Sequence, residues 1–178
     1  MNVPSEIKNL FKSLASTHPS ILHEDVEGQV AFAIDQISDI IDGVFKTEIK
    51  PEGFSLRYIK PIFNTLSDET NGMLSSVQSG FSVLRKCDHT DLEEMETVKD
   101  EAFRIVKEII ARLVFESRNR HAVLSDSLNQ LGNGQFSIEE VAFQGDGTFA
   151  GQLCLFQFKT EFIEDIDQIV TATNWTDL

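Results

Sequence analysis

The chain has 178 residues, 41% apolar and 25% charged, with a formal net charge of −14. That is the length of one ordinary domain with apolar content enough for a real core, and it excludes collagen, coiled-coil and generally disordered classes. Lysine and arginine number 15 against 29 carboxylates, so the bulk field opposes both DNA and anionic membranes, which are gripped by basic faces.

No run approaches the ~20 apolar residues that cross a bilayer. Residues 1–20 hold no basic segment followed by an apolar stretch, so the expectation is synthesis in the cytoplasm without a signal peptide.

The first element in chain order is a short helix. Pro4 suits a first turn, Glu6 complements the positive helix end, and Ile7, Leu10, Phe11 and Leu14 repeat at helical spacing. It stops before His18-Pro19, because a residue preceding proline avoids the helical region. His18 and His23 flank that proline in a loop and read as solvent-exposed.

From Gly28 to Phe45 two readings stand. Val30, Phe32 and Ile34 alternate as a strand, followed by a helix through Ile37, Ile40, Ile41 and Val44 with Asp35 as its cap. The same residues also fit one continuous helix from Val26 to Phe45. Pro51-Glu52-Gly53 is a turn. Phe54 to Phe63 reads as extended chain, with Pro61 placing it at a sheet edge or strand end. Ser67 to Gly72 is polar and reads as a loop.

Met73 to Cys87 fits a helix through Met73, Val77, Phe81 and Leu84. Serines and Gly80 are poor helix residues, and Phe81 and Val83 share a strand face, so a strand over Gln78–Cys87 is favoured. The clearest element follows. Thr90-Asp91-Leu92-Glu93 matches a capping box, and Leu92, Met95, Val98, Ala102, Ile105, Ile109 and Leu113 keep a helical stripe to about Phe115–Arg118. Val106, Ile110 and Val114 widen the stripe, which predicts packing across a sheet. Acidic residues crowd its start (Asp91, Glu93, Glu94, Glu96) and arginines its end, complementing the helix dipole. Val123, Leu124, Leu128 and Leu131 are spaced for a further short helix.

Phe136–Phe143 and Phe149–Phe162 are strand-like and joined through Asp146-Gly147, a strong hairpin signal. In the second strand Cys154, Phe156 and Phe158 fall on one face and Leu153 and Leu155 on the other, so it needs cover on both sides. The predicted fold is therefore α+β: a mainly antiparallel sheet with a C-terminal β-hairpin, packed by one long central helix and shorter N-terminal helices. It forms a single domain over 1–178 with a polar tail at about 164–178.

Chemistry is sparse. The sequence has no P-loop, no dinucleotide glycine fingerprint and no Gly-x-Ser-x-Gly elbow. Cys87 and Cys154 make neither a disulfide framework nor a zinc site, although a bridge is open to them if their strands are adjacent. Cys87 with His89 lacks a second ligand pair. Glu164, Asp165 and Asp167 form an acidic run rather than carboxylates held across a cleft. Asn174-Trp175-Thr176 matches a glycosylation acceptor, which means little without secretion. The expectation is no enzyme, no cofactor and no metal. Trp175 either folds back onto the domain or anchors the tail in a partner.

Several short pieces carry a resemblance. They are Leu14-Ala15-Ser16-Thr17-His18-Pro19-Ser20-Ile21-Leu22-His23, the Gly80-Phe81 strand before the acidic-to-basic helix, the glycine-punctuated hairpin, and terminal Trp175-Thr176-Asp177-Leu178. They resemble a family of virion structural proteins from phages and prophage regions of Bacteroidetes-type genomes. By element order that family is similar to tail-completion or tail-terminator proteins, small α+β subunits that form a ring at the neck between head and tail. Pro51 to Gly72 is hard to match to it. The resemblance implies a virion component, partnered by copies of itself and by other virion proteins, with DNA at most passing through a negative lumen. Excess apolar surface on the hairpin and the lone tryptophan mark the candidate interface: Phe149, Leu153, Leu155, Phe162 and Trp175. The alternative is a small adaptor or inhibitor that binds a protein partner through its hairpin or tail.

Overall fold

The computed structural model describes residues 3–27, 29–36, 52–67, 73–88, 90–119, 135–144 and 148–163. Helical spacing at the N-terminus forms α1 (Val3–Thr17), which buries Ile7, Leu10, Phe11 and Ala15. Alternation then takes over in β1 (Phe32–Asp35), which excludes the continuous helix over these four residues. The proposed helix after Asp35, the 68–72 loop, the helix around 123–131, the hairpin turn at 145–147, His89 and the tail with Trp175 lie outside the described residues.

The extended segment after Gly53 is β2 (Ser55–Ser67). The ambiguous segment is strand throughout, β3 (Met73–Cys87), longer than the expected Gln78–Cys87. Next come the long helix α2 (Leu92–Asn119), β4 (Gln135–Gln144) and β5 (Thr148–Ile163). The described strands form one five-stranded mixed sheet in the order β1-β2-β3-β5-β4. β1 runs parallel to β2, and every other pairing is antiparallel.

Registers set two faces by strand alternation. Leu56 and Tyr58 of β2, Phe81 and Val83 of β3, and Cys154, Phe156 and Phe158 of β5 share one face. Both helices pack there: α1 through Phe11, which stacks on Tyr58 (5.1 Å) and Phe156 (5.9 Å), and α2 through Val98, Ala102, Ile105, Ile109 and Leu113. The opposite face carries a smaller apolar group of Ile59 and Leu153 with Val141 and Leu155. The predicted division of β5 between two faces thus holds.

Polar ties fix the helices on the sheet. Arg85 of β3 donates to Glu101 (2.8 Å), Lys99 lies 3.3 Å from Glu140 of β4, and the Gln152 amide donates to the Lys99 carbonyl (3.2 Å). His18, expected in solvent, is tied instead to Glu108 of α2 at 3.0 Å. His23 is buried: its Nδ1 accepts the Ala31 amide (3.2 Å) and its ring lies 5.8 Å from that of Phe32. Loop composition indicates exposure only until the loop is pressed against a core, and this one is.

Three further expectations need correction, and Asp35 has a partner the sequence did not suggest. Leu92 does not join the α2 stripe and is 73% exposed. At ~100° per residue it sits about 120° around the helix from Val98, off the buried face. The capping residue is Asp91, not Thr90: the Glu94 amide donates to Asp91 Oδ1 (2.9 Å), while the Thr90 hydroxyl donates to Asp88 (2.8 Å). Both oxygens of Asp35 accept from Arg57, Nε at 2.5 Å and a terminal nitrogen at 2.8 Å, while the helix it was expected to cap lies outside the described residues. Pro61 lies inside a strand that is central by order, yet the proline rule is obeyed locally. β1 pairs β2 only as far as Ile59, and a bulge between Ile59 and Ile62 interrupts the β3 ladder where the missing N–H falls.

The buried Asp35–Arg57 pair pins β1. Asp35 and Arg57 lie on the face opposite the helices, two residues apart in register across the parallel ladder. A one-residue slip of β1 would turn Asp35 into the aromatic core.

A candidate binding groove at the root of a strand extension

The bulge shapes a groove. On the face away from the helices, a cavity of about 350 Å³ is lined by Ile59, Lys60 and Ile62 of β2, Gln78 and Ser79 of β3, Gln135, Phe136 and Ser137 of β4, and Leu155, Phe156 and Gln157 of β5. Gly80 forms its floor. A Cβ there would stand 2.6 Å from the Cys154 carbonyl oxygen, 2.8 Å from Leu155 Cδ2 and 3.1 Å from Ile59 Cδ1. No other residue fits while β3 and β5 remain this close, so the sheet dips under the two aliphatic side chains.

Hydrogen bonds stiffen the walls. The Ser79 hydroxyl donates to the Ile59 carbonyl (2.7 Å), which the bulge displaces from the regular ladder. The Gln157 amide donates to the Ser76 hydroxyl (2.6 Å). Ile62 remains 51% exposed at the rim. Lys60, Gln78, Gln135, Ser137 and Gln157 are also exposed, giving an aliphatic centre framed by amides, a hydroxyl and one cation. Such a surface suits an apolar side chain presented on an extended peptide, whose backbone groups the amides can satisfy.

Beyond the groove three paired strands run on. β2 continues eight residues past Ile59, β3 begins four residues before Val77, and β5 continues five past Phe158, and the three stay paired in the registers of the sheet. At ~3.3 Å per residue these paired segments add on the order of 15 Å to the sheet.

The sequence-predicted interface residues separate. Leu155 lines the groove and Phe149 is half-buried. Leu153 is buried against Ile59 within the subunit. The side chain of Phe162 and all of Trp175 lie outside the described residues. Sequence reasoning missed Ile59, Ile62 and Gly80; Pro61 was the available signal, because a proline within a strand marks a bulge.

Reactive groups are muted. Burial pushes the Cys154 thiol up to about 12. Burial also raises Cys87, and Glu94 adds to that, so neither sulfur is an activated nucleophile. The two cysteines are free and lie on adjacent strands, but Cys87 pairs with Thr148 while Cys154 pairs with Phe81, six residues away along the ladder. Among the described residues no three His, Cys, Asp or Glu side chains are grouped to hold a metal ion, and no helix is long and apolar enough to cross a membrane.

No protein-family model matches the chain, and no curated protein matches it.

Proposed function

We propose that the chain is a structural subunit of a phage or phage-like particle, a ring-forming tail-completion or terminator protein at the head–tail junction or neck. In this reading it works by contact and carries out no chemistry. The observation that supports it is the apolar groove beside three strands that stay paired past it: such a recess on one subunit is a socket for a segment of the next. When unlike surfaces of identical subunits join repeatedly, the array closes into a ring if the rotation permits. The net charge of −14 suits a negative lumen, which repels phosphates and lets DNA slide.

The groove also supports a second reading, an adaptor or inhibitor that captures a protein segment there without assembling into a ring. One set of experiments separates them. The purified chain should be a monomer or weak oligomer by light scattering and should form closed rings in electron micrographs once particle components are added. Ile62→Asp should retain its circular dichroism and fail to join, and Trp175→Ala should weaken joining. Absence of rings with every particle component would reject the ring reading. Capture of a partner peptide that Ile62→Asp abolishes would then establish the adaptor.

A further inference from the structure

The outward face of α2 is divided by charge. From residue 91 to 101 the sequence carries six carboxylates and one lysine; from 102 to 116 it carries three cations and two carboxylates. Each half also exposes large apolar side chains. Leu92 is 73% exposed at the acidic end, and Phe103 and Phe115 are 40% and 55% exposed along the basic half. Lys107 Nζ stands 4.8 Å from the Phe103 ring centroid and the Arg112 guanidinium 5.5 Å from that of Phe115, so cations and rings form one surface.

We propose that α2 pairs antiparallel with α2 of a second copy across a two-fold axis passing near Phe103. The assignment comes from spacing. Antiparallel pairing about that point sets Asp100 against the second copy's Arg104 and Glu96 against its Lys107. It also sets Leu92 against the second copy's Phe115 and brings the two Phe103 rings together on the axis. Leu92, Glu96, Asp100, Phe103, Lys107 and Phe115 are exposed on the side of α2 turned away from the sheet. The Asp100–Arg104 and Glu96–Lys107 matches each occur twice, by symmetry, as a two-fold contact requires.

The pairs present within one copy do not compete strongly. Arg104–Glu108, at 2.7 Å, is a solvent-exposed pair of helix neighbours and contributes little, and Glu96, paired at 2.7 Å with the largely covered Lys99, keeps its own carboxylate in solvent. At ~0.15 M salt the mutual repulsion of two acidic subunits is screened beyond about 8 Å, while charges in contact still attract. The contact is independent of the proposed ring, whose joints must be between unlike surfaces. It gives a dimer of free subunits, or joins two rings back to back.

Sedimentation velocity at that ionic strength, on the wild type and two variants, and oxidative crosslinking of two more test it. Glu96→Lys with Asp100→Arg should weaken self-association by on the order of tenfold or more. Adding Arg104→Asp and Lys107→Glu to that chain should restore it, since the charges are then exchanged rather than opposed. In a Cys87→Ser background, Phe103→Cys should form a disulfide-linked dimer on mild oxidation, and Gln135→Cys should not. Apart from the half-buried Cys87, whose serine replacement is nearly isosteric, these side chains are exposed, so circular dichroism should remain that of the wild type. A wild-type chain monomeric at about 1 mM, a charge-exchanged chain no tighter than the charge-opposed one, or equal crosslinking at positions 103 and 135 would each overturn the proposal.

Discussion

Replacing Arg57 with methionine is the sharpest test of the sheet. Arg57 is fully buried and Asp35 is 3% exposed, and two charge-assisted hydrogen bonds join them. Methionine fills most of the arginine stem but leaves the Asp35 carboxylate buried without its counter-charge. Breaking a buried pair in this way costs about 3–5 kcal/mol, a large part of the ~5–15 kcal/mol that a domain of this kind has. Asp35→Leu should also destabilise, because the buried guanidinium loses the carboxylate that accepts two of its hydrogen bonds. Asp35→Leu combined with Arg57→Met removes both charges and should lie within ~2 kcal/mol of the wild type, because the desolvation penalty disappears with the attraction. Urea unfolding of the four proteins, with slopes compared as well as midpoints, gives the cycle. Two results would refute the reasoning: Arg57→Met costing under ~1 kcal/mol, or a double variant destabilised by the sum of the singles.

Other perturbations read other parts of the fold. At Gly151, where β5 passes between β3 and β4, a Cβ would fall on the Val83 carbonyl oxygen, so Gly151→Ala should destabilise by about 2–4 kcal/mol in urea. Asp91→Ala should cost about 1 kcal/mol by freeing the Glu94 amide, and Thr90→Ala distinctly less, in thermal melts of both. Ile109→Ala should cost about 2–5 kcal/mol by opening a cavity between α2 and the sheet, while Leu92→Ala should lie within ~0.5 kcal/mol of wild type. Alkaline pH should destabilise the chain through two groups. Cys154 and Tyr58 are both pushed up to about 12 by burial. The unfolded chain therefore loses these protons first, and stability falls as pH rises from about 9 toward 12, by up to ~1.4 kcal/mol per unit for each group. Cys154→Ala should make that decline shallower in urea titrations between pH 8 and 11, and equal slopes would contradict the assignment.

The repeating parts of this fold were legible because repetition reports a buried stripe. Val98, Ala102, Ile105, Ile109 and Leu113 recur at helical spacing, and Cys154, Phe156 and Phe158 at strand spacing, and both sets are core. Single residues were less readable, since each depends on what stands opposite. Leu92 has the right chemistry for the stripe and the wrong angle. His23 sits in a loop whose burial depends on the neighbouring core. Thr90 and Asp91 are both competent caps, and the hydroxyl of Thr90 is drawn to Asp88. The groove was least visible of all, because four strands distant in sequence contribute to it and its floor is the absence of a side chain at Gly80.

The sheet order also governs when the molecule becomes competent. β3 is flanked by β2, its neighbour in the chain, and by β5, whose residues lie 61 to 90 positions later in the pairs Cys87–Thr148 and Met73–Ile163. Contacts of such separation form late, after the loop-closure entropy of the intervening chain has been overcome. During synthesis, therefore, the β2–β3 ribbon and α2 emerge with one long edge of β3 bare, and β5 seals it only once residue 163 has left the ribosome. The groove needs β4 and β5 as well as β2 and β3, so a nascent or truncated chain has no socket to offer. If the groove is where the proposed subunits join, joining is reserved for completed chains, a form of quality control that operates through the timing of strand addition.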